Sequence, residues 1–171
     1  MENFTNETID TTQLPKFEEV QFTALHPNYW IVTLINLLIF FLILGTGVGM
    51  ALFFNEQLSE FRFGIIIVFI VLMLLIVLFS RISFRKKGFA FRTHDVLFRS
   101  GIIASNTVVI PYNRVQHVAL HEGFISRYFG LAKIEIFTAG GSSSDIEIPG
   151  IEKEQAENIK QLLMGKIQKQ L

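Results

Sequence analysis

The stretch "RFGIIIVFIVLMLLIVLFSR", Arg62 to Arg81, has no charged residue between its two terminal arginines. Phe63 to Ser80 is 18 residues. As a helix it would be about 27 Å long at ~1.5 Å per residue, just short of a hydrocarbon core of roughly 30 Å. Arg62 and Arg81 can snorkel outward from its ends. Upstream, no charge occurs from Asn28 to Asn55. Tyr29 to Phe54 exceeds the roughly 20 apolar residues that a span needs, so it can cross with tilt. Two such runs leave no polar face for water, which argues against a pair of core helices in a soluble protein. The expected spans are about 29–54 and 63–81.

The flanks set the topology. The chain has 171 residues, no net charge, 18 phenylalanines and no cysteine. Its first residues are acidic (Glu2, Glu7, Asp10, Glu18 and Glu19 against Lys16), where a signal peptide would be basic. "HPNYW" suits a helix entry, because Pro27 needs no backbone donor there and Tyr29 and Trp30 favour a membrane interface. Arg81, Arg85, Lys86, Lys87 and Arg92 follow the second run, whereas "NEQLSEFR" between the runs has two glutamates and one arginine. The positive-inside rule therefore predicts both termini on the cytoplasmic side. The lack of cysteine fits that compartment. Gly45 and Gly49 in "GTGVG" have the small-residue spacing that lets helices approach, either the second span or another copy. Asn36 is expected to hydrogen-bond inside the helix bundle.

Beyond Arg81 the period changes. "GFAFR", "VLFRSG", "TVVIP", "VQHVAL", "KIEIF" and "DIEIP" alternate or run as short strands separated by Gly, Asn, Asp and Pro. That pattern predicts a small antiparallel sheet or barrel. "GFISRYFGL" predicts one or two helical turns stopping at Gly130. From Glu152, Ala156, Ile159, Leu163 and Ile167 form a helical stripe, with glutamates early and lysines late as the helix dipole favours.

A sheet of this size with one closing helix is the outline of the pleckstrin-homology fold. "RTHDVLFRSGII", "IPYNRVQHV", "ISRYFGLAKIEIFTAGG" and "IEIPG" resemble, in order and spacing, successive motifs of the bacterial PH-like domain family. The resemblance extends over roughly Pro27 to Leu163, and the helical hairpin matches the family's membrane-anchored members. It implies an α+β membrane protein: a two-helix transmembrane hairpin followed by a cytoplasmic PH-like small antiparallel β-barrel or sandwich closed by a C-terminal helix. It implies no reaction. The membrane-anchored members resemble scaffold or assembly proteins, and related chains carry several copies of the domain; here one copy is visible. The expected organisation is an acidic, disordered cytoplasmic tail over 1–26, the hairpin over 27–82 and the PH-like domain over 83–171.

Each candidate site has a plainer alternative. "FTAGGSSSDIEIPG" has strands on both sides, whereas a phosphate loop needs backbone donors at a helix start. The G-x-x-x-x-G-K-[ST] and G-x-S-x-G motifs are both absent. A hairpin turn results, and in the family resemblance Thr138, Ala139, Gly140 and Gly141 correspond to a recurring one, with Gly140 or Gly141 taking positive φ. A hydrolase built from Ser142–Ser144, His117 or His121, and Asp145 is disfavoured. His117 and His121 lie four apart in a strand pattern, about 13 Å along it, which opposes a shared metal. No catalytic residue, cofactor or metal is expected. Arg81, Arg85, Lys86 and Lys87 are candidate contacts for anionic lipid head groups, worth ~1 kcal/mol per basic residue near the surface. Asn113, Arg114, Gln116, His117, Arg127, Gly130, Thr138, Gly140 and Gly141 are candidates for fold-defining contacts or a partner-binding edge, with Arg127 expected to meet Glu122 or another acid. From Arg81 to Leu171 the 13 Lys+Arg exceed the 8 Asp+Glu, a net of +5. This is modest for nucleic acid, which the adjoining membrane would also block. The function expected is a non-enzymatic scaffold at the bacterial cytoplasmic (inner) membrane. Its implied partners are a homo-oligomer or a larger membrane protein with several PH-like domains, and the alternative is an anionic-lipid-binding module.

Overall fold

A computed structural model of the chain describes residues 8, 19–139 and 146–168. The chain enters through a two-residue strand β1 (Thr23–Ala24) and then forms helix α1 (Asn28–Phe54), the short α2 (Glu56–Ser59) and α3 (Arg62–Lys86). Both long helices are apolar and long enough to cross a membrane, and only 11% and 0% of their most apolar 18-residue stretches are buried against the rest of the protein. Core helices would be covered. Asn55 ends α1 and caps α2, its side-chain oxygen accepting from the N–H groups of Gln57 (3.0 Å) and Leu58 (3.3 Å).

The two long helices pack on each other within one chain. Phe41 meets Phe69 edge-on at 6.2 Å between ring centroids. A Cβ on Gly45 would lie 3.6 Å from the Phe69 ring, while Gly49 faces open space. Asn36 is exposed rather than inside the bundle. It follows from helix geometry, since five residues at about 100° each put Asn36 roughly 140° around α1 from Phe41 and its seam.

The rest of the chain is β2 (Gly88–Phe91), β3 (Asp95–Ser100), β4 (Asn106–Pro111), a 3-10 turn (Tyr112–Arg114), β5 (Val115–His121), α4 (Phe124–Tyr128), β6 (Leu131–Thr138), β7 (Ile146–Glu152) and α5 (Lys153–Gln168). All pairings are antiparallel, in two sheets ordered β1-β2-β3-β4 and β5-β6-β7. Among the described residues the sheets do not join into a closed barrel. Pro111 ends β4 without a backbone donor, and the chain turns through Tyr112–Arg114 before β5 begins. One apolar core nevertheless runs through both sheets: Phe89, Val96 and Ile110 from the first, Ile134, Ile136 and Ile148 from the second, with Ala156 and Leu163 of α5. The alternation seen in "KIEIF" and "DIEIP" thus becomes the cross-strand pairs Ile134↔Ile148 and Ile136↔Ile146.

Two boundaries differ from expectation. The folded part begins inside the expected tail, since Thr23 and Ala24 pair with Phe89 and Gly88 and Leu25 is buried. Helix α3 also continues through Lys86, with Arg85 and Lys86 in its last turn, where cations suit the helix dipole. At the other end of the domain, Arg92 holds Asp95 through two short hydrogen bonds (Nε to Oδ1 2.6 Å, Nη2 to Oδ2 2.5 Å). The buried Tyr112 donates to the Arg92 carbonyl at 2.7 Å, and Lys166 of α5 donates to the Thr93 carbonyl at 3.3 Å. These contacts lock the β2–β3 turn to β4 and to the end of α5.

Ile148 is fully buried, so Ile148→Ala should destabilise the domain by ~2–5 kcal/mol. Val109→Ala on β4, where the side chain is 41% exposed, should cost well under half as much. Urea denaturation of the full chain in detergent micelles measures both.

Candidate functional site

The strongest structural concentration lies where the hairpin meets the sheets. The His26 N–H donates to the Gly150 carbonyl at 2.9 Å, and the Tyr29 N–H donates to the His26 carbonyl at 2.9 Å. Gly150 is buried with φ +64°, and a Cβ there would stand 2.5 Å from Cγ of Tyr29. Only glycine combines that left-handed backbone with so close an aromatic ring. Tyr29 and Trp30 then face Phe84 of α3, with ring centroids 6.4 and 5.9 Å apart.

The four basic candidates fall at this junction but do not act together. Arg81 is half-buried, its guanidinium 4.8 Å from the Trp30 ring centre and 5.5 Å from that of Phe84. It serves as a cation–π bridge between the two long helices. Lys86 donates its Nζ to the Ile102 carbonyl at 2.5 Å, tying α3 to the β3–β4 turn. Lys87 is half-buried and lines a 310 Å³ cavity with Tyr29, Thr33, Phe79 and Ile102. Arg85 is exposed.

A second cavity, about 540 Å³, opens between the start of α1 and the second sheet. Tyr29, His121, Glu122, Ser126, Lys133, Glu135 and Gly150 line it. Its charges are paired. Lys133 binds Glu135 directly and Glu147 at 3.3 Å, His121 Nε2 lies 3.1 Å from Glu135, and Lys153 lies 3.0 Å from Glu122. The partner of Glu122 is thus Lys153; Arg127, expected to meet Glu122 or another acid, is exposed on α4 and lines an apolar cavity with Ile35 of α1. The hydrogen bond from Lys133 holds the Glu135 carboxyl below the usual carboxylate range, and the same bond holds the Lys133 ammonium above its usual value. Each acid in the arrangement has a basic partner, and His121 is engaged with Glu135 and not with the Ser126 hydroxyl. His117 is stacked on Phe137, centroids 4.1 Å apart and planes within 14°. It lies on the same strand as His121, as the alternation predicted.

The remaining candidates separate. Asn113 and Arg114 form the exposed 3-10 turn, and Gln116 and His117 are exposed on β5. Thr138 pairs with Val115, and the Arg114 carbonyl accepts from the Ala139 N–H at 3.2 Å. Gly130 follows α4 with φ +66°, and its carbonyl accepts from the N–H of Lys153, the first residue of α5, at 2.9 Å. Gly140, Gly141 and Ser142–Asp145 lie outside the described residues. The Arg92–Asp95–Tyr112 knot and the Lys133–Glu135–His121 cluster were missed from sequence. Tyr112 and His121 join from other parts of the chain, and only the charged residues at alternate places on "KIEIF" and "DIEIP" hinted at a cross-strand pair.

The model of the bacterial PH domain family matches residues 34–167. The UPF0699 transmembrane protein YdbS of Bacillus subtilis (strain 168) is 34% identical over 67 residues, which are 39% of this chain and 40% of that protein. The chain thus aligns with about two fifths of the length of that curated relative. No solved structure matches significantly.

Two outcomes check the junction. Gly150→Ala should cost about 1–2 kcal/mol from its backbone alone and displace Tyr29, which a shift in the fluorescence of the neighbouring Trp30, the single tryptophan, would register. For the ion pairs the signs differ. Glu135 is depressed on folding, so its stabilisation is complete above about pH 4.3 and is lost as pH falls through the folded value. Lys133 is raised, so its share is complete below about pH 10.4 and is lost as pH rises through the folded value. The stability gap between the wild type and Glu135→Gln should therefore shrink as acid is added below about pH 4, measured by urea titration across pH.

Proposed function

The chain belongs to the bacterial PH domain family, and from that premise we propose that it is a non-enzymatic, membrane-anchored scaffold. Its two apolar helices hold it in the bacterial cytoplasmic membrane with both termini in the cytoplasm. The basic run from Arg81 to Arg92 and the acidic turn between the helices support that orientation. Its role is assembly, through protein contacts and self-association or with a larger membrane protein carrying several PH-like domains.

One observation carries this reading. Strand β4, "NTVVIP", pairs only with β3 among the described residues and holds no charged side chain. Natural edge strands are usually blunted by lysine, proline or a covering element. Here Pro111 guards one end, while Val109 is exposed. An uncharged edge of six residues is suited to accept another strand, which is how sheet domains commonly take up partners.

A second reading has its own observation. Arg85 is exposed in the last turn of an apolar helix, beside the Lys86 ammonium that the Ile102 carbonyl holds, a position suited to anionic head groups. Nothing in their geometry forms a fitted pocket, so the expected attraction is general to anionic lipid.

Purification from native membranes in mild detergent, with mass measurement, tests the assembly reading. A homo-oligomer or a stoichiometric partner is expected, and Val109→Lys should weaken it. A monomer with nothing bound would overturn it. Reconstituted full-length protein should show no preference among anionic lipids at equal vesicle charge; selectivity for one head group would instead favour a specific lipid site.

A further inference from the structure

Three of the domain's most exposed large apolar side chains stand at the end that meets the hairpin. Ile103 is 96% exposed, Phe124 94% and Tyr128 87%. Phe124 and Tyr128 are four residues apart on α4 and so share one face. With Ile35 of α1 they line an apolar cavity of about 570 Å³. Ile35 lies five residues beyond Trp30, or about 7–8 Å farther along the helix. Trp30 and Arg81, in contact, mark the place where aromatic and basic side chains sit at a water–lipid boundary. Helix α4 therefore stands beside the apolar part of α1, on the lipid side of that ring.

The other flank repeats the arrangement. Ile102 shares its cavity with Ile76 and Phe79 of α3. Ile76 is five residues before Arg81, again about 7–8 Å into the apolar run. The cavity extends past Arg81 to Ser83 and Lys87, and Ile103, the neighbour of Ile102, is held beside this end of α3 by the β3–β4 turn, where Gly101 takes φ +131° and Lys86 clasps the Ile102 carbonyl. Helix α4 and the β3–β4 turn thus stand one beside each long helix, and both turn bare apolar side chains outward.

We infer that α4 and the β3–β4 turn are prongs that embed Phe124, Tyr128 and Ile103 in the boundary between head groups and acyl chains, so that the domain rests on the bilayer at a fixed height and rotation. The occupant of this face is the lipid surface itself. The apolar face is continuous with the apolar surfaces of α1 and α3, and a bilayer around those helices meets both flanks, as it meets amphipathic interfacial elements. Arg127, exposed on α4 between the two rings in sequence, has the length to snorkel back to the phosphates.

This inference rests on the hairpin lying in a membrane, and the test separates the two. The chain has no cysteine, so single substitutions can each carry one spin label in the full-length protein in phosphatidylcholine–phosphatidylglycerol nanodiscs. Ile103→Cys, Phe124→Cys and Tyr128→Cys replace exposed side chains, so little packing is lost. Leu38→Cys, on an exposed face of α1, is the lipid reference, and Asn113→Cys, on the exposed 3-10 turn, is the water reference. Labels at 103, 124 and 128 should lose accessibility to a water-soluble nickel chelate and keep it to oxygen, as at 38 and unlike 113. Nickel accessibility at 103, 124 and 128 equal to that at 113, with 38 still shielded, would overturn the prongs alone. Shielding of the three from both reagents would mean a protein contact and overturn them too. A water-accessible label at 38 would remove the membrane reading and this inference together.

Discussion

The contact of Tyr29 with Gly150 is the constraint on which the rest depends. It joins the first turn of α1 to the last strand of the second sheet, while β1 pairs just upstream with the first sheet. One short segment, Thr23 to Trp30, therefore touches both sheets and α3. Lys86 adds a second tie from the end of α3 to the β3–β4 turn. A hairpin joined to a domain by one peptide linker could swing freely. Here both of its ends are held, so the direction of the helices fixes which end of the sheets lies nearest the membrane.

The elements of the fold were legible because their signals are strong and local. Uncharged runs of this length have few other uses, and alternation in "KIEIF" and "DIEIP" put Ile134, Ile136, Ile146 and Ile148 on one buried face. The turns of α4 and the stripe of α5 appeared where spacing put them. What could not be read was where elements meet. "FTAL", ahead of the first helix, looks like tail because two paired residues leave no periodicity; β2 recruits them after the chain has crossed the apolar region twice. The separation of the two sheets likewise depends on the Tyr112–Arg114 turn, which a list of strands does not reveal.

The candidate site was less legible, for a related reason. Residue type identified Arg81, Arg85, Lys86 and Lys87 as one basic cluster, but helix geometry and local partners give them four different surroundings. Arg81 turns inward onto two rings, whereas Arg85 points out. Asn36 shows the same limit: a polar side chain in an apolar helix suggests a buried partner, but the seam follows Phe41 and Gly45. The exposure of Phe124 and Tyr128 cannot be read from "GFISRYFGL", since a helical spacing of four gives a shared face and not what covers it.

The long axis of the domain connects anchoring with assembly. Helix α5 begins beside Glu122 and Gly130, near the hairpin, and its Lys166 reaches Thr93 and the Tyr112 ring. Thirteen residues of helix span about 20 Å, so the Asn113–Arg114 turn is well removed from the Phe124–Tyr128 end. Strand β4 runs between the two levels, from Asn106 after the β3–β4 turn to Pro111 before the 3-10 turn. On the proposed reading, a domain seated on lipid by two prongs holds that uncharged edge upright, at one height and facing along the membrane plane. Two such edges then search a surface in few orientations instead of a volume in all of them, which raises their effective concentration without any added contact. The exposed apolar end and the open strand thus belong to one design, in which fixing the domain against the bilayer makes a weak edge-to-edge contact sufficient.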